Sequence, residues 1–449
     1  MAMGKPHLSI PRILQMNLGF LGLQFSFGLQ QANPIFAYLG ADEKDFPWLG
    51  IAGPLTGLIV QPLIGVMSDR TLSRYGRRTP YFLIGALMCS AGLFLMPFSQ
   101  SLLMAFSILF LLDVGNNITM EPYRAYVNDR LREEQRGFGF LSQSGFTGLA
   151  QCLAYASPFL LVNLFGVSKI AEPGVIPDYT RMAFFIGAVL SISTILWSIL
   201  RVPELPLTDL ERARITALPK GFGATFAEVF AAIREMPEAM RTMAWMSLFQ
   251  WYAMCCYWAY RVPSVSMALF GTSDGSTSQF READLLSGPM GAFYNAIAFV
   301  AAFSMAPLAR RLGAARLHAA CLLMTGCAMI AMPMMNSEPP MWLLMGIMGL
   351  GWGSIMGNPY IILANAIPAE RTGVYMGIFN MMICAPMLVF AGTMTFIYEP
   401  VLGGDPRNAL AFGGVLMLCA AVAVLRVRSG GQSGPAAEPR PEPKAAVST

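Results

Sequence analysis

The chain has 449 residues, of which 55% are hydrophobic and only 12% are charged. A soluble globular domain carries about a quarter charged residues, so this composition argues against a soluble enzyme. Long continuous apolar runs argue against a β-barrel porin, whose strands alternate over roughly ten residues. The net charge of +4 is small and unevenly placed, so we expect no nucleic-acid partner.

Cysteine and histidine offer no candidate metal site. The eight cysteines lack CxxC spacing and lie mostly in apolar runs, where free thiols act as small hydrophobic side chains. Histidine occurs only at His7 and His318, which excludes a histidine metal site or a catalytic triad.

The apolar runs have the length of membrane-spanning helices. A bilayer core about 30 Å thick needs roughly 20 apolar residues per helix. Twelve runs of this kind occur, at 13–39, 47–68, 79–97, 101–127, 137–166, 181–202, 239–270, 284–307, 315–335, 339–366, 372–398 and 407–427. The first lacks a cleavage motif and is expected to remain as the first helix. We therefore predict an all-α membrane protein with twelve transmembrane helices.

A long polar connection divides these spans into six and six. We predict an N-terminal six-helix half (1–202), a cytoplasmic linker (203–238), a C-terminal six-helix half (239–428) and a disordered tail (429–449) rich in Pro, Ala and Gly. Counted over the loops and ends, 23 Lys and Arg fall on one side of the membrane and five on the other, which places both termini in the cytoplasm. We expect a monomer in a bacterial inner membrane.

Two short matches indicate that the halves are copies of one another. Residues 121–123 (EPY) correspond to 358–360 (NPY), and residues 74–76 (RYG) correspond to 311–313 (RLG), both at an offset of 237. A parallel repeat of six spans, with the site between the halves near the membrane midplane, is the architecture of major facilitator transporters. We therefore expect two pseudo-symmetric halves.

The loop between spans two and three supports this expectation. Its sequence GVMSDRTLSRYGRR (65–78) resembles the signature of that superfamily, an acidic residue followed by a Gly-Arg-Arg group. We predict a gating latch that pairs charges across the cytoplasmic ends of helices, formed by Asp69, Arg70, Arg74, Gly76, Arg77 and Arg78. The alternative is a basic loop that only sets the topology.

Span four carries charged residues inside the predicted membrane. On an ideal helix Asp113, Asn117, Glu121 and Arg124 share one face, which cannot meet lipid because each charge would cost a few kcal/mol there. Asp113 lies about 16 Å of helix rise from Arg124 and so lacks a local partner. A titratable carboxylate in a cavity is what proton coupling requires. The alternative is a buried Glu121–Arg124 pair that only holds helices together.

These motifs together resemble those of the glycoside–proton symporters, which include plant sucrose carriers and bacterial sucrose and maltose carriers. The resemblance rests on 53–62 (GPLTGLIVQP), 68–78 (SDRTLSRYGRR) and 111–117 (LLDVGNN), with Arg124 eleven residues after Asp113. The resemblance is close over spans one to five. In the C-terminal half it is mainly a similarity of hydropathy. It implies that Asp113 is the protonation site and meets the sugar, and that Arg124 is needed for substrate binding.

One departure from that family concerns the C-terminal half. The plant members carry acidic residues around the end of span seven, whereas this chain has Arg261 near there and no acid until Asp274. The charge balance on that side of the cavity therefore differs from the family's pattern.

Sugar binding requires amide side chains and flat aromatic faces, because each buried hydroxyl must find a protein partner. The predicted substrate-binding residues are Gln24, Gln31, Asn33, Asn117, Glu121, Arg124, Gln143, Tyr294, Asn295, Trp352 and Asn358. The alternatives are helix–helix hydrogen bonding for a single amide and lipid anchoring for a single aromatic ring. The set is richer in amides than lipid-facing spans need, which favours a polar, uncharged ligand.

We therefore expect a secondary active transporter that takes up a disaccharide or glucoside of the sucrose or maltose class with a proton, by alternating access. Its coupling ion is a proton at Asp113, and we expect no cofactor. The alternative is a proton-driven exporter of small organic molecules on the same fold, and a third reading is a sensor on a carrier scaffold. A primary pump is disfavoured because the chain contains no GxxxxGK[ST] phosphate loop.

Overall fold

The computed structural model describes residues 5–32, 34–172, 174–217, 233–364, 366 and 372–427. These residues form helices and connecting segments, without a strand among them. The long helices, numbered in chain order, are α1 Ile10–Ala32, α2 Ala52–Arg70, α3 Thr79–Leu95, α4 Leu102–Arg130, α5 Glu133–Asn163, α6 Asp178–Arg201, α7 Glu238–Phe270, α8 Ser278–Leu312, α9 Ala314–Ala331, α10 Glu338–Ala364, α11 Thr372–Tyr398 and α12 Pro406–Leu425.

The prediction of an all-α membrane protein is confirmed. Within the described ranges, nine segments are long and apolar enough to cross a membrane, and each of the twelve predicted spans overlaps one long helix. Short helices also occur, at Ile35–Tyr38, Phe46–Leu49 and Asp209–Ala217. The predicted tail 429–449 lies outside the described residues, as does part of the predicted linker, 218–232.

Local sequence explains several helix boundaries. The side chains of Ser101 and Thr277 each accept a hydrogen bond of 3.2 Å from the backbone amide three residues later, which caps α4 and α8. Gly76 and Gly313, the glycines of the two matched loops, both have positive φ, at 105° and 85°. Glycine adopts this conformation without a steric penalty, which explains the glycine at both positions.

The packing of the first six helices is repeated by the last six. α1 packs against α5 and α6, as α7 packs against α11 and α12. α3 contacts α4 and α6, as α9 contacts α10 and α12, while α2 lies on α4 as α8 lies on α10. Each of these pairs recurs six helices later in the chain, which is the pattern of a two-fold pseudo-symmetric repeat.

The two sets of helices meet where α2 packs on α11 and where α5 packs on α8. A Cβ on Gly57 of α2 would lie 3.3 Å from the Sγ of Cys384 on α11. Gly65 lies two turns further along α2. A Cβ there would have no described atom of another segment within 4 Å, and the same is true of Gly377 on α11. The described contacts between these two helices thus lie around Gly57 and Cys384; the end of the molecule that carries loop 71–78 is called the latch end here.

At the opposite end, which carries residues 39–51, 271–277 and 399–405, the two sets of helices touch. The Tyr260 hydroxyl donates to the backbone oxygen of Glu43 at 3.2 Å, and Lys44 Nζ lies 3.5 Å from the Glu399 carboxylate. The rings of Phe46 and Tyr260 are 6.2 Å apart. The conformation is thus closed at the opposite end.

Candidate functional site

The polar face of α4 lies against α2 near the middle of the bundle. Asp113 is 3% exposed, and a Cβ on Gly53 of α2 would lie 3.6 Å from its Oδ2. The missing side chain of Gly53 therefore lets the α2 backbone approach the carboxylate. Among the described residues Asp113 takes part in no ion pair, so this buried acid is not neutralised by a direct contact with a basic side chain.

A chain of hydrogen bonds runs from Asp113 to the other set of helices. Asn117 Nδ2 donates to the Thr56 hydroxyl at 2.9 Å and to the backbone oxygen of Asp113 at 2.8 Å. Asn117 Oδ1 accepts from Gln61 Nε2 at 2.6 Å, and Gln61 Oε1 accepts from Asn380 Nδ2 of α11 at 2.9 Å. The predicted site residue Asn117 is thereby linked to α2 and, through Gln61, to α11.

Glu121 and Arg124 form the ion pair that their i,i+3 spacing allows. The carboxylate and guanidinium are 3.0 Å apart, and the side chains are 32% and 50% exposed. Tyr360 of α10, in the other set of helices, interacts electrostatically with both. Because a charged pair is expensive in lipid, we infer that this exposed surface faces a water-accessible cleft between the helices. The pair therefore does not serve to join two helices in this conformation.

Two predicted aromatic residues belong to one cluster in the C-terminal set. The Tyr294 ring of α8 stacks on Trp352 of α10 at 6.2 Å and 26°. Trp258 of α7 meets Trp352 edge-on at 5.8 Å, and Trp251 lies 6.2 Å from Trp352. The buried hydroxyl of Tyr294 has no hydrogen-bond partner among the described residues. The cluster thus offers ring faces together with one unsatisfied donor.

Three predicted amides bond within the helical bundle. Gln143 Nε2 donates to Asn17 of α1 at 3.3 Å. Asn295 Nδ2 donates to a carbonyl oxygen of its own helix at 2.9 Å, and Asn358 Nδ2 donates to the Ser354 hydroxyl at 2.7 Å. In this conformation these three amides make the helix–helix or intrahelical hydrogen bonds that were the alternative to ligand binding.

The remaining predicted residues belong to the first span. Gln24 is buried in α1, with 7% of its surface exposed. The side chain of Gln31 and the whole of Asn33 lie outside the described residues. The predicted contribution of the first span to a ligand site therefore stays a prediction.

The latch arginines pair with carboxylates of the N-terminal set. Arg77 forms an ion pair with Asp129 of α4, and Arg78 Nε lies 3.0 Å from the other oxygen of the same carboxylate. Arg78 also pairs with Asp69 at the end of α2 and donates to Ser68 at 2.6 Å. The loop thus connects the latch ends of α2, α3 and α4.

A second carboxylate fixes the backbone of the same loop. Glu204, just after α6, accepts hydrogen bonds from the backbone amides of residues 77 and 78 at 3.0 and 2.9 Å. A Cβ on Gly76 would lie 2.6 Å from this carboxylate. Arg74 instead lies on the surface over the Tyr75 ring, at 4.6 Å, and the side chain of Arg70 is outside the described residues.

Sequence reasoning missed a buried carboxylate at the opposite end. Asp284 of α8 accepts a hydrogen bond from the Tyr38 hydroxyl and lies 3.4 Å from the Tyr179 hydroxyl. Arg261, noted only as a departure from a family pattern, is buried beside Ser287, which lies three residues beyond Asp284 on α8. The available signal was an acid at the first residue of the predicted span 284–307, where a charge needs a partner.

Comparison with known proteins agrees with this architecture. The model of the Major Facilitator Superfamily matches residues 16–391. The solved structure of a mutant of the nucleoside transporter NupG aligns with a TM-score of 0.70 at 13% identity, covering 92% of this chain and 99% of that one. The peptide transporter POT in complex with sulfate aligns with a TM-score of 0.68 at 16% identity, covering 94% of this chain and 95% of that one. These structural likenesses show the fold.

Two curated relatives confirm the resemblance derived from the motifs. The sucrose transport protein SUC4 of Arabidopsis thaliana is 23% identical over 436 residues, which cover 87% of this chain and 85% of that protein. The general alpha-glucoside permease of Schizosaccharomyces pombe is 25% identical over 272 residues, covering 55% of this chain and 46% of that protein. With its helical repeat and family match, the chain belongs to the Major Facilitator Superfamily and is a multi-pass membrane transporter rather than an enzyme.

Proposed function

We propose that this transporter takes up a disaccharide or glucoside of the sucrose or maltose class together with a proton. The observation that carries the proposal is the polar face of α4, where the buried Asp113 and the cleft-exposed Glu121–Arg124 pair lie on one helix. A carboxylate that can gain and lose a proton and a guanidinium fork that can hold paired hydroxyls are the groups that a proton–sugar symporter needs. The relatives' names support the sugar class.

The proposed binding site is the cleft between the two sets of helices. Arg124 and Glu121 contribute charged hydrogen-bonding groups from one side, and Trp352 and Tyr294 contribute ring faces from the other. Gln61 and Asn380, which now bond to each other at 2.9 Å, are two amides that a bound sugar would reach by replacing that hydrogen bond.

The proposed cycle is alternating access with both termini and the latch end in the cytoplasm, as the Lys and Arg distribution predicts. Asp113 takes a proton while the opposite end is open, which lowers the energetic cost of enclosing this carboxyl between the helices. The sugar then bridges the α4 face and the C-terminal set. Opening of the latch end then releases the sugar, and the higher internal pH removes the proton.

Uptake of labelled sugar tests the proposal directly. Cells that express the chain should accumulate [14C]sucrose or [14C]maltose above the external concentration, and a protonophore should abolish the accumulation. Vector-only cells provide the baseline, and replacement of sodium by choline should leave the uptake unchanged. Uptake of both sugars at the vector-only level would reject the substrate class. Accumulation that survives the protonophore would reject coupling to a proton.

A further inference from the structure

Two buried charges lie where the two sets of helices touch at the opposite end. Asp284, in the second turn of α8, and Arg261 of α7 are each 3% exposed. Among the ion pairs formed by described residues, none contains either side chain. An uncompensated charge is strongly destabilising in a protein interior. Other groups must therefore stabilise these two charges.

The partners of Asp284 come from the N-terminal set of helices. The hydroxyls of Tyr38 and Tyr179 both point at its Oδ2, the latter at 3.4 Å, and lie 2.8 Å from each other. Tyr38 ends the short helix Ile35–Tyr38 and Tyr179 begins α6. The carboxylate is therefore stabilised in this conformation by hydrogen bonds from the other set of helices.

Arg261 also has a partner from the N-terminal set. Its guanidinium lies 5.1 Å from the centre of the Tyr155 ring of α5 and 5.9 Å from that of Tyr257, its neighbour on α7. Its Nη1 donates to the backbone oxygen of Ser287 at 3.4 Å. Ser287 is three residues beyond Asp284 on α8, so Arg261 contacts α8 about one turn from Asp284. The two charges interact electrostatically without forming a direct ion pair in this conformation.

We propose that Asp284 and Arg261 form a gate at the opposite end that opens by exchanging partners. In the closed conformation the tyrosines of the N-terminal set stabilise both charges. When this end opens, Tyr38, Tyr179 and Tyr155 move away together, and Asp284 and Arg261 pair with each other. Each charge thus keeps a partner in both conformations. The inference depends on the proposed alternating access but on no particular substrate.

Distance measurements without sugar test the gate. Spin labels at Ile170→Cys and Val401→Cys report the separation of the two sets, because these residues are 80% and 70% exposed on loops of the opposite end. The full chain is reconstituted in nanodiscs with the exposed Cys327 and Cys419 replaced by alanine. Double electron–electron resonance then gives the ratio of closed to open distances in each variant.

The single charge variants should hold the gate closed and the double variant should restore the wild-type ratio. Asp284→Asn leaves Arg261 without its partner in the open conformation, which costs more than the weakened tyrosine hydrogen bonds of the closed one, so the closed-to-open ratio should rise by about tenfold. Arg261→Met should shift the ratio in the same direction, whereas the double variant should lie within about threefold of the wild type. Tyr38→Phe removes only a hydroxyl and should lower the ratio by about threefold.

Asp405→Asn is the matched control at the same end. Burial would raise the pKa of Asp405, but hydrogen bonds and the charge of Arg407 outweigh it and lower the pKa of this carboxyl. Arg407 Nη2 lies 2.7 Å from this carboxylate within the same set of helices. Its neutralisation should leave the ratio unchanged.

Two results would overturn the gate: unchanged ratios in Asp284→Asn and Tyr38→Phe, or a double variant whose shift equals the sum of the single shifts. If a single charge variant does not fold, Tyr38→Phe and the double variant decide the question. Failure of the gate can be distinguished from failure of the proposed function. The latter would appear as absent sugar uptake by the wild-type chain, and the distances between the spin labels could still be measured.

Discussion

At the scale of single residues, the site depends on how each polar side chain is satisfied. Asp113 is buried beside Gly53, while Arg124, on the same helix, is half exposed and paired with Glu121. The two ends of one helix face therefore have different environments. A buried carboxyl responds to protonation, and an exposed guanidinium remains available to a ligand.

Replacement of Asp113 by Asn should uncouple transport from the proton. The amide keeps the shape and imitates the protonated acid, but it cannot titrate. Accumulation of sugar against its gradient should vanish, whereas exchange of sugar down its gradient should survive in part. Parallel measurement of accumulation and of exchange in preloaded vesicles checks this expectation. Proton-dependent accumulation by the Asp113→Asn protein would move the coupling role to another group, with Glu121 as the next candidate.

Replacement of Arg124 by Lys should weaken sugar binding. A lysine keeps the charge but cannot grip two hydroxyls with a planar fork, and loss of one charged hydrogen bond corresponds to about 1.5–3 kcal/mol, or at least about tenfold in affinity. Binding to purified protein, measured calorimetrically, gives the affinity independently of coupling. Glu121→Gln is the control and should have a smaller effect if Glu121 only neutralises the arginine. Wild-type affinity in Arg124→Lys would remove Arg124 from the site.

At the scale of helices, small residues set how closely α3 and α4 approach. A Cβ on Gly85 would lie 2.0 Å from the Thr119 hydroxyl and 2.6 Å from the backbone oxygen of Gly115. Gly115 belongs to the LLDVGNN segment, so one part of that motif serves helix packing rather than ligand binding. Tight packing at this point holds α4 and its polar face in position.

Replacement of Gly85 by Ala should therefore destabilise the fold. The new methyl group must separate α3 from α4, and overpacking of this kind lowers the free energy of unfolding by about 1–3 kcal/mol. Gly65→Ala is the matched control, because a Cβ there meets no described atom of another segment and alanine favours the helix by about 1 kcal/mol. Thermal unfolding in detergent measures both variants. Equal melting temperatures would contradict the close packing of α3 on α4.

At the scale of the whole molecule, the two sets of helices touch at the opposite end. The latch loop lies at the latch end and pairs with Asp129 and Glu204, both within the N-terminal set. In this conformation it therefore stiffens one set of helices. Movement of that set as a unit is what a rigid-body change of access requires.

Replacement of Arg77 by Gln should slow transport without changing sugar affinity by more than a few-fold. The variant loses a partly buried ion pair with Asp129 that lies at the latch end, far along α4 from Asp113. Initial uptake rates over a range of sugar concentrations separate turnover from affinity. Arg74→Gln is the control, since Arg74 only covers the exposed Tyr75 ring and should have a smaller effect. A large loss of affinity at normal turnover would contradict the latch.

The sequence by itself determined the properties that depend on local periodicity. Apolar runs of spanning length predicted the long helices, helical spacing placed Asp113 and Arg124 on one face, and an i,i+3 interval predicted the Glu121–Arg124 pair. Two motif matches at one offset of 237 predicted the repeat, and the structure adds that the matched glycines at 76 and 313 both have positive φ.

Only the tertiary structure decided which distant residues meet. The Gln61–Asn380 hydrogen bond joins residues 319 apart in sequence, and the Tyr38–Asp284 contact joins residues 246 apart. The tertiary structure also showed that Gln143 forms a hydrogen bond with Asn17 of another helix. The physical reason is that an amide or a carboxylate in an apolar run signals that a partner is needed, whereas the identity of that partner depends on how the twelve helices pack.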